Sequence, residues 1–383
     1  MEYTKWAACW GNASSIHDQT EARFSRNITL RYPIRMVFDG NALRFHFSNL
    51  RGTQPIRFAA CAAVSVSDKE IDPDTVKDIT VRGEKMIVIH PGAEVCSDEM
   101  AFDVKAGMNI AVTMYLPDYT DMNTAVLITG QLSKGFYAYG DFEKSGELPL
   151  DLTRNTHWFY FLNTVDVLTE EKNHCLVCYG DSITAQNWPD DLAVRAWENG
   201  YRDIAIIRRA ISGTRILREY DCITYAAYGE KGEKRFVREL NAAGCDRVIL
   251  QHGINDIIHP VGLDVNPWRP MSDLPTAEEM EEGFTKLYIE PARKMGLKVY
   301  GGTLLPIKGW RTYADFREEL KNEFNDWLRE TDLLDGCVDF DLALRDTHDP
   351  AAFSREYDSG DHLHPSALGY KAMAEAVDEK ILK

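Results

Sequence analysis

The chain lacks any apolar run long enough to span a bilayer, which takes about 20 consecutive residues, so no membrane partner is expected. It also lacks an excess of basic residues: 43 Lys and Arg stand against 60 Asp and Glu, for a net charge of −17. Nucleic acids and anionic membrane surfaces are held by basic patches, so neither is an expected partner. The opening stretch MEYTKWAACWGNAS has no basic segment followed by an apolar one. No export signal is visible there, and a cytoplasmic location is the expectation. Internal repeats and low-complexity tracts are missing as well.

What is present is ordinary for a globular protein. Of 383 residues, 44% are hydrophobic and 27% charged, enough for a sizeable core. The length suits about two or three domains. Eight cysteines are scattered along the chain, and without an export signal free thiols are expected. Cys175 and Cys178 form a CxxC, but no second CxxC completes a zinc site. Their odd spacing places them on opposite faces of a strand, which fits buried structural thiols better than a redox pair at a helix start.

Two patterns divide the chain. Residues 1–165 read as many short strands with turn signals and little helical periodicity, the pattern of a β-sandwich or jelly roll. In NALRFHFSN, Leu43, Phe45 and Phe47 alternate with Arg44, His46 and Ser48. Residues 166–383 read as alternating strands and helices, an α/β/α domain with a parallel five-stranded sheet. Its expected strands are LVCYG, IAIIRRA, RVILQHG, KVYGGTLLP and VDFDLAL. Among its expected helices, one opens with Thr276 and Glu279 at capping-box spacing and stops at Gly296. The junction THWFYFLNTVDVL is too apolar for a free linker and is expected to pack between the two halves.

The candidate chemistry sits where strands end. In CLVCYGDSITAQNW an apolar strand stops at Gly180, Asp181 and Ser182. Reacting groups lie at the carboxyl ends of strands in open α/β sheets, so Ser182 could be a nucleophile. On this stretch alone a plain helix cap is the better reading. A serine nucleophile needs a base, a group that orients the base, and donors for the developing oxyanion. In DHLHPSALGY, Asp361 and His364 are spaced so that a carboxylate can set the tautomer of an imidazole, while His362 is a weaker candidate. In VILQHGINDI, Asn255 follows a strand end and its amide can reach an oxyanion, and Asp256 reads as a cap or structural acceptor. In RRAISGTRIL, Gly213 permits close backbone approach, or is a simple turn.

The four blocks GDSIT, AISGTRIL, GIND and DHLHP, in that order, resemble the SGNH hydrolases, also called GDSL esterases and lipases. The resemblance covers about residues 170–383. The chain also looks like a two-domain bacterial subgroup that places a β-sandwich before the hydrolase domain and includes carbohydrate esterases. The resemblance implies Ser182 as nucleophile, His364 as base and acid, and Asp361 as the orienting carboxylate. It implies an oxyanion hole from the N–H groups of Ser182 and Gly213 and the side chain of Asn255. No metal or organic cofactor is implied. The stretch AQNWPDDLA replaces a commonly Gly-rich loop.

The function so implied is a serine carboxylic-ester hydrolase that O-deacetylates acetylated carbohydrates or oligosaccharides, with a small-molecule or oligosaccharide ester as its partner. Asp181, Trp188, Trp268, Arg269 and Trp310 are the candidates to touch substrate. Trp188 near Ser182 favours a small acyl pocket, unless it points into the core. The alternatives are a feruloyl-type aryl-acyl or short-chain lipid esterase and, in another class, a carbohydrate-binding protein whose hydrolase domain is inactive.

Overall fold

The computed structural model describes residues 2–17 and 24–383. They form two compact units: Met1–Cys175 with Arg202–Ile207 and Ala242–Gly244, and Leu176–Tyr201 with Arg208–Asn241 and Cys245–Lys383. No helix among the described residues is long and apolar enough to cross a membrane.

The first unit is built from antiparallel strands. A seven-stranded sheet runs in the order Arg154–Thr156, Gly135–Tyr139, Ile28–Arg35, Asn109–Leu116, Ile56–Val64 and Lys77–Ile79, with Met86–Ile89 also paired to Ile56–Val64. A five-stranded sheet runs Lys5–Gly11, Leu162–Thr169, Gly40–Ser48 and Met100–Val104, with Glu94–Cys96 also on Gly40–Ser48. The sequence around DGN suggests two strands in succession. The chain crosses there from one sheet to the other, so Ile28–Arg35 and Gly40–Ser48 do not pair with each other.

The alternation in Gly40–Ser48 decides its burial. Leu43, Phe45 and Phe47 are fully buried, and Phe47 meets Phe58 of the other sheet edge-on with ring centres 5.1 Å apart. On the opposite face, Arg44 and His46 converge on the buried Asp166 at 2.7 and 2.8 Å. The apolar junction is itself strand: Trp158–Tyr160 pairs with Thr124–Leu127, and Leu162–Thr169 lies between Lys5–Gly11 and Gly40–Ser48.

The C-terminal part of the chain forms a parallel sheet in the order Ile204–Ala210, His174–Gly180, Cys245–Gln251, Lys298–Gly302, Gly336–Val338. Numbered along the chain this is 2-1-3-4-5, which puts a topological switch point between the first and third strands, where ligands bind in such sheets. The strands are buried on both faces and read as apolar runs for that reason. Cys175 and Cys178 lie on the first strand, both fully buried, and all eight cysteines are free.

The Thr276–Glu279 capping box forms as expected. The Thr276 hydroxyl accepts from the Glu279 N–H at 3.2 Å, and the Glu279 carboxylate accepts from the Thr276 N–H at 3.0 Å. That helix passes through a π-helical stretch, Thr285–Ile289, just before Pro291, which has no N–H to continue the ordinary ladder. One strand expectation changes. In VDFDLAL only the start is strand, and Phe340–Leu344 is a helix capped by the Asp339 carboxylate on the Leu342 N–H.

Candidate active site

The turn after the first parallel strand explains the GDS sequence. A Cβ on Gly180 would lie 2.3 Å from the Gln251 carbonyl oxygen, so only glycine lets the first and third strands end so close together. Asp181 then caps the short helix Ser182–Ala185 by accepting from the Ile183 N–H at 3.0 Å. Ser182 emerges half-buried at the start of that helix.

The candidate base arrives from the loop before the last helix, Ala367–Ala376. The Ser182 hydroxyl lies 2.9 Å from His364 Nε2, and His364 Nδ1 lies 2.7 Å from Asp361 Oδ2. An ionised carboxylate can only accept, so Nδ1 carries the imidazole proton and Nε2 is left to accept from Ser182. Asp361 is itself held in place by the N–H groups of His364 at 2.8 Å and Leu363 at 2.9 Å. Partial burial pushes its carboxyl up. The His364 N–H, the His364 ring and the Leu363 N–H outweigh that and hold it at about 2, so it stays ionised. His362 points elsewhere, with its Nδ1 2.5 Å from Asp358 Oδ2.

Gly213 and Asn255 follow the second and third strands. Gly213 has φ of +80°, and a Cβ there would run into the Tyr228 ring at 2.3 Å. Asn255 is buried, and its amide donates to the Thr214 carbonyl at 3.0 Å, leaving its other amide hydrogen uncommitted to that bond. Asp256 is a structural acceptor. Its carboxylate takes the N–H groups of Ile216 at 2.7 Å and Leu217 at 3.0 Å, anchoring the loop that carries Gly213.

A residue that the sequence did not single out completes this anchoring. His252 Nε2 lies 2.9 Å from the Thr214 hydroxyl, and its Nδ1 lies 2.7 Å from the Tyr288 hydroxyl. Burial, with Arg235 nearby, pulls the imidazole down to about 3, so it remains neutral.

The five candidates for substrate contact separate. Trp188 is fully buried: it tilts against Phe340 with ring centres 5.3 Å apart and donates its indole N–H to Thr184 at 3.3 Å. It belongs to the core and walls no acyl pocket, because its helix turns that face inward. Asp181 is also fully buried, and burial raises its carboxyl to about 7. Its observed contact is the helix cap. Trp268 is half exposed on the loop after the third strand. Trp310 is part-buried with the Arg311 guanidinium 4.5 Å over its ring. Its neighbour Gly309 packs on the His362 ring, where a Cβ would come within 2.7 Å. Arg269 is buried, 4.5 Å above the Tyr225 ring.

That last contact opens onto a cluster the sequence reading missed. Tyr220, Tyr225, Tyr228 and His259 pack ring against ring, with centres between 4.6 and 5.8 Å apart. The available signal was the tyrosine density of EYDCITYAAYG after the Gly213 strand. Among the described residues no group of three or more His, Cys, Asp or Glu is placed to hold a metal ion.

Residues 178–372 match the GDSL-like lipase/acylhydrolase family. The chain belongs to that family. This GDSL acylhydrolase is also similar in fold to a putative acylhydrolase from Bacteroides fragilis, at 18% identity over 56% of this chain and 90% of that one, with a TM-score of 0.40. A GDSL-like lipase from Bacteroides thetaiotaomicron matches at 16% identity over 56% and 90%, with a TM-score of 0.38. An acetylxylan esterase from Geobacillus stearothermophilus matches at 18% identity over 54% and 94%, with a TM-score of 0.36. No curated protein matches the chain.

Proposed function

We propose that this acylhydrolase is a serine carboxylic-ester hydrolase that removes acetyl groups from acylated carbohydrates. The observation that carries the reading is the unbroken chain from Ser182 through His364 to Asp361, at 2.9 and 2.7 Å. Ser182 attacks the ester carbonyl while His364 Nε2 takes its proton. The carbonyl oxygen gains charge and is received by the N–H groups of Ser182 and Gly213 and the Asn255 amide. His364 then gives the proton to the leaving alcohol. Water, deprotonated by the same imidazole, cleaves the acyl-enzyme. Asp361 stays ionised throughout and stabilises the imidazolium.

The carbohydrate preference rests on the flanking aromatic rings. Trp268, Trp310 and the tyrosine cluster lie on the segments that follow the strands Ile204–Ala210, Cys245–Gln251 and Lys298–Gly302. Such rings offer flat apolar faces beside polar edges, which suits sugar rings. A second reading, an aryl-acyl or short-chain lipid esterase, is favoured by the exposed Leu263 and Val265 on the same loop as Trp268.

Mass spectrometry of acetylated xylo- and manno-oligosaccharides after incubation tests the proposal. Loss of acetyl groups is expected. Intact oligosaccharides, with rapid hydrolysis of 4-nitrophenyl butyrate or feruloyl esters, would transfer the assignment to the second reading.

A further inference from the structure

Arg269 is nine-tenths buried, yet its guanidinium makes no hydrogen bond or ion pair with any described residue. Its protein contacts are ring faces: Tyr225 at 4.5 Å and Tyr220 at 5.8 Å. Cation–π contact offsets only part of the cost of holding a guanidinium out of water. Its Nε is buried without any acceptor.

The other cations on these loops are occupied. Arg215 is paired with Asp273 at 3.0 Å, Arg317 donates to the carbonyls of Ile257 and Pro260, and Lys308 is paired with Asp349 at 2.5 Å. Exposed Arg218 donates only to the carbonyl of its neighbour Leu217, at 3.3 Å, and Arg311 is less engaged still. It is exposed, stacks on Trp310, and has no carboxylate partner among the described residues.

These two free guanidiniums flank the candidate site. Arg269 lies on Tyr225, Tyr225 stacks on Tyr228 at 5.4 Å, and Tyr228 covers Gly213 of the proposed oxyanion hole. Arg311 is held from the other side. The next residue, Thr312, donates to the Ile258 carbonyl at 3.0 Å, and Gly309 abuts the loop that carries His364. Between them lies His259, stacked on Tyr228, with Nδ1 buried and unpartnered. Burial, with Arg269, Arg215 and Arg311, holds that imidazole well below its usual range, so it adds no charge. Two guanidiniums without a carboxylate partner thus lie on the loops around the candidate site, in a chain whose net charge is −17.

We infer that this site is built for esters that carry a carboxylate, received by Arg269 and Arg311 beside the tyrosine cluster. A planar carboxylate fits the guanidinium fork, and the charge-assisted bond supplies the acceptor that buried Arg269 lacks. The inference rests on the acylhydrolase reading and narrows its substrate. The carboxylate belongs either to the sugar, as in a uronic-acid residue, or to the acyl group.

The experiment compares kcat/KM for acetylated oligogalacturonate with that for acetylated xylo-oligosaccharide of equal length, and for 4-nitrophenyl hemisuccinate with that for 4-nitrophenyl acetate. A charge-assisted contact predicts at least a ~tenfold preference for the acidic member of one pair. The pair that shows it says which part of the substrate bears the carboxylate. In Arg269→Gln and Arg311→Gln the preference should fall by most of that factor, through KM. Exposed Arg311 supplies the answer if the buried variant does not fold. Neutral esters turned over with no acidic preference in either pair, or a preference that Arg311→Gln and a folded Arg269→Gln both retain, would overturn the inference alone. No turnover of any ester, or undiminished turnover by Ser182→Ala, would instead overturn the acylhydrolase reading beneath it.

Discussion

Two buried guanidiniums, one in each unit, show how differently the two regions use charge. Arg31 lies in a central strand of the seven-stranded sheet, fully buried. It donates to the Thr113 hydroxyl at 3.0 Å and to the carbonyls of Lys69, Phe142 and Ser145 at 2.8, 3.2 and 2.9 Å. Burial pulls it down to about 10, and it remains charged at neutral pH. Arg269, in the hydrolase unit, has ring faces and no acceptor. A buried charge whose donors are saturated holds loops in place. One whose donors are open is available to a ligand. The first region saturates its Arg31; the second leaves Arg269 and His259 open near the strand ends where Ser182 sits.

The largest expected effect tests the open side of that contrast. Ser182→Ala should lower kcat on 4-nitrophenyl acetate by at least ~10⁴. Its thermal midpoint should match the wild type, since the half-exposed hydroxyl holds no core together. Near-wild-type turnover would remove Ser182 from the mechanism. Asn255→Ala should cost ~10²–10³ in kcat, the effect of one oxyanion donor. A change confined to KM would make it a substrate contact instead.

Trp188 tests the interior of the same unit. Trp188→Ala should destabilise by about 3–5 kcal/mol through the cavity it leaves, read by denaturant titration. The order of kcat/KM along a series of 4-nitrophenyl esters should not change. A shift of preference toward longer acyl chains would mean that the ring reaches the acyl pocket after all.

The guanidinium comparison can be broken directly. Arg31→Leu leaves three carbonyls and a hydroxyl without their donor in a buried place, and should cost about 2–4 kcal/mol. Arg269→Leu removes a charge that has no protein acceptor and should cost less than about 1 kcal/mol. Equal losses would mean that both are structural staples.

The last effect concerns pH. Burial raises Asp181 to about 7 and Asp256 to about 6 in the folded chain, against about 4 when unfolded. Between these values the folded chain holds protons that the unfolded chain has released. Stability from these two groups is therefore greatest below about pH 4 and falls as pH rises toward about 7. Asp361, held at about 2, acts in the opposite sense and only below about pH 4. Denaturation midpoints measured from pH 5 to 8 should decline less in Asp181→Asn than in the wild type. Parallel declines would mean that Asp181 does not hold its proton.

Much of the candidate site was legible because its chemistry is carried by short local patterns. Asp361 and His364 are three residues apart in one loop, and each other member follows an apolar run by a few residues. A strand end next to a glycine is a local event, so Ser182, Gly213 and Asn255 could be picked out one by one. Trp188 was misplaced because its spacing from Ser182 does not say which way its helix faces; Phe340, 152 residues further on, covers it. In VDFDLAL, the Asp339 cap stopped the strand that apolar alternation had extended. The tyrosine cluster went unread because Tyr220, Tyr225 and Tyr228 form no regular period and meet His259 only in the fold.

The sequence by itself determined the parallel sheet and the order of the four motif blocks. Period-two alternation, unbroken apolar runs and glycine at strand ends are properties of neighbouring residues. Only the tertiary structure decided which polar groups are satisfied. A hydrogen-bond partner is set by distance in space, and the partners of Arg31 and the missing partner of Arg269 are far from each in the chain. That is why the sequence could name a candidate nucleophile, while the charge proposed for its substrate had to be read from an arginine that the fold buries without an acceptor.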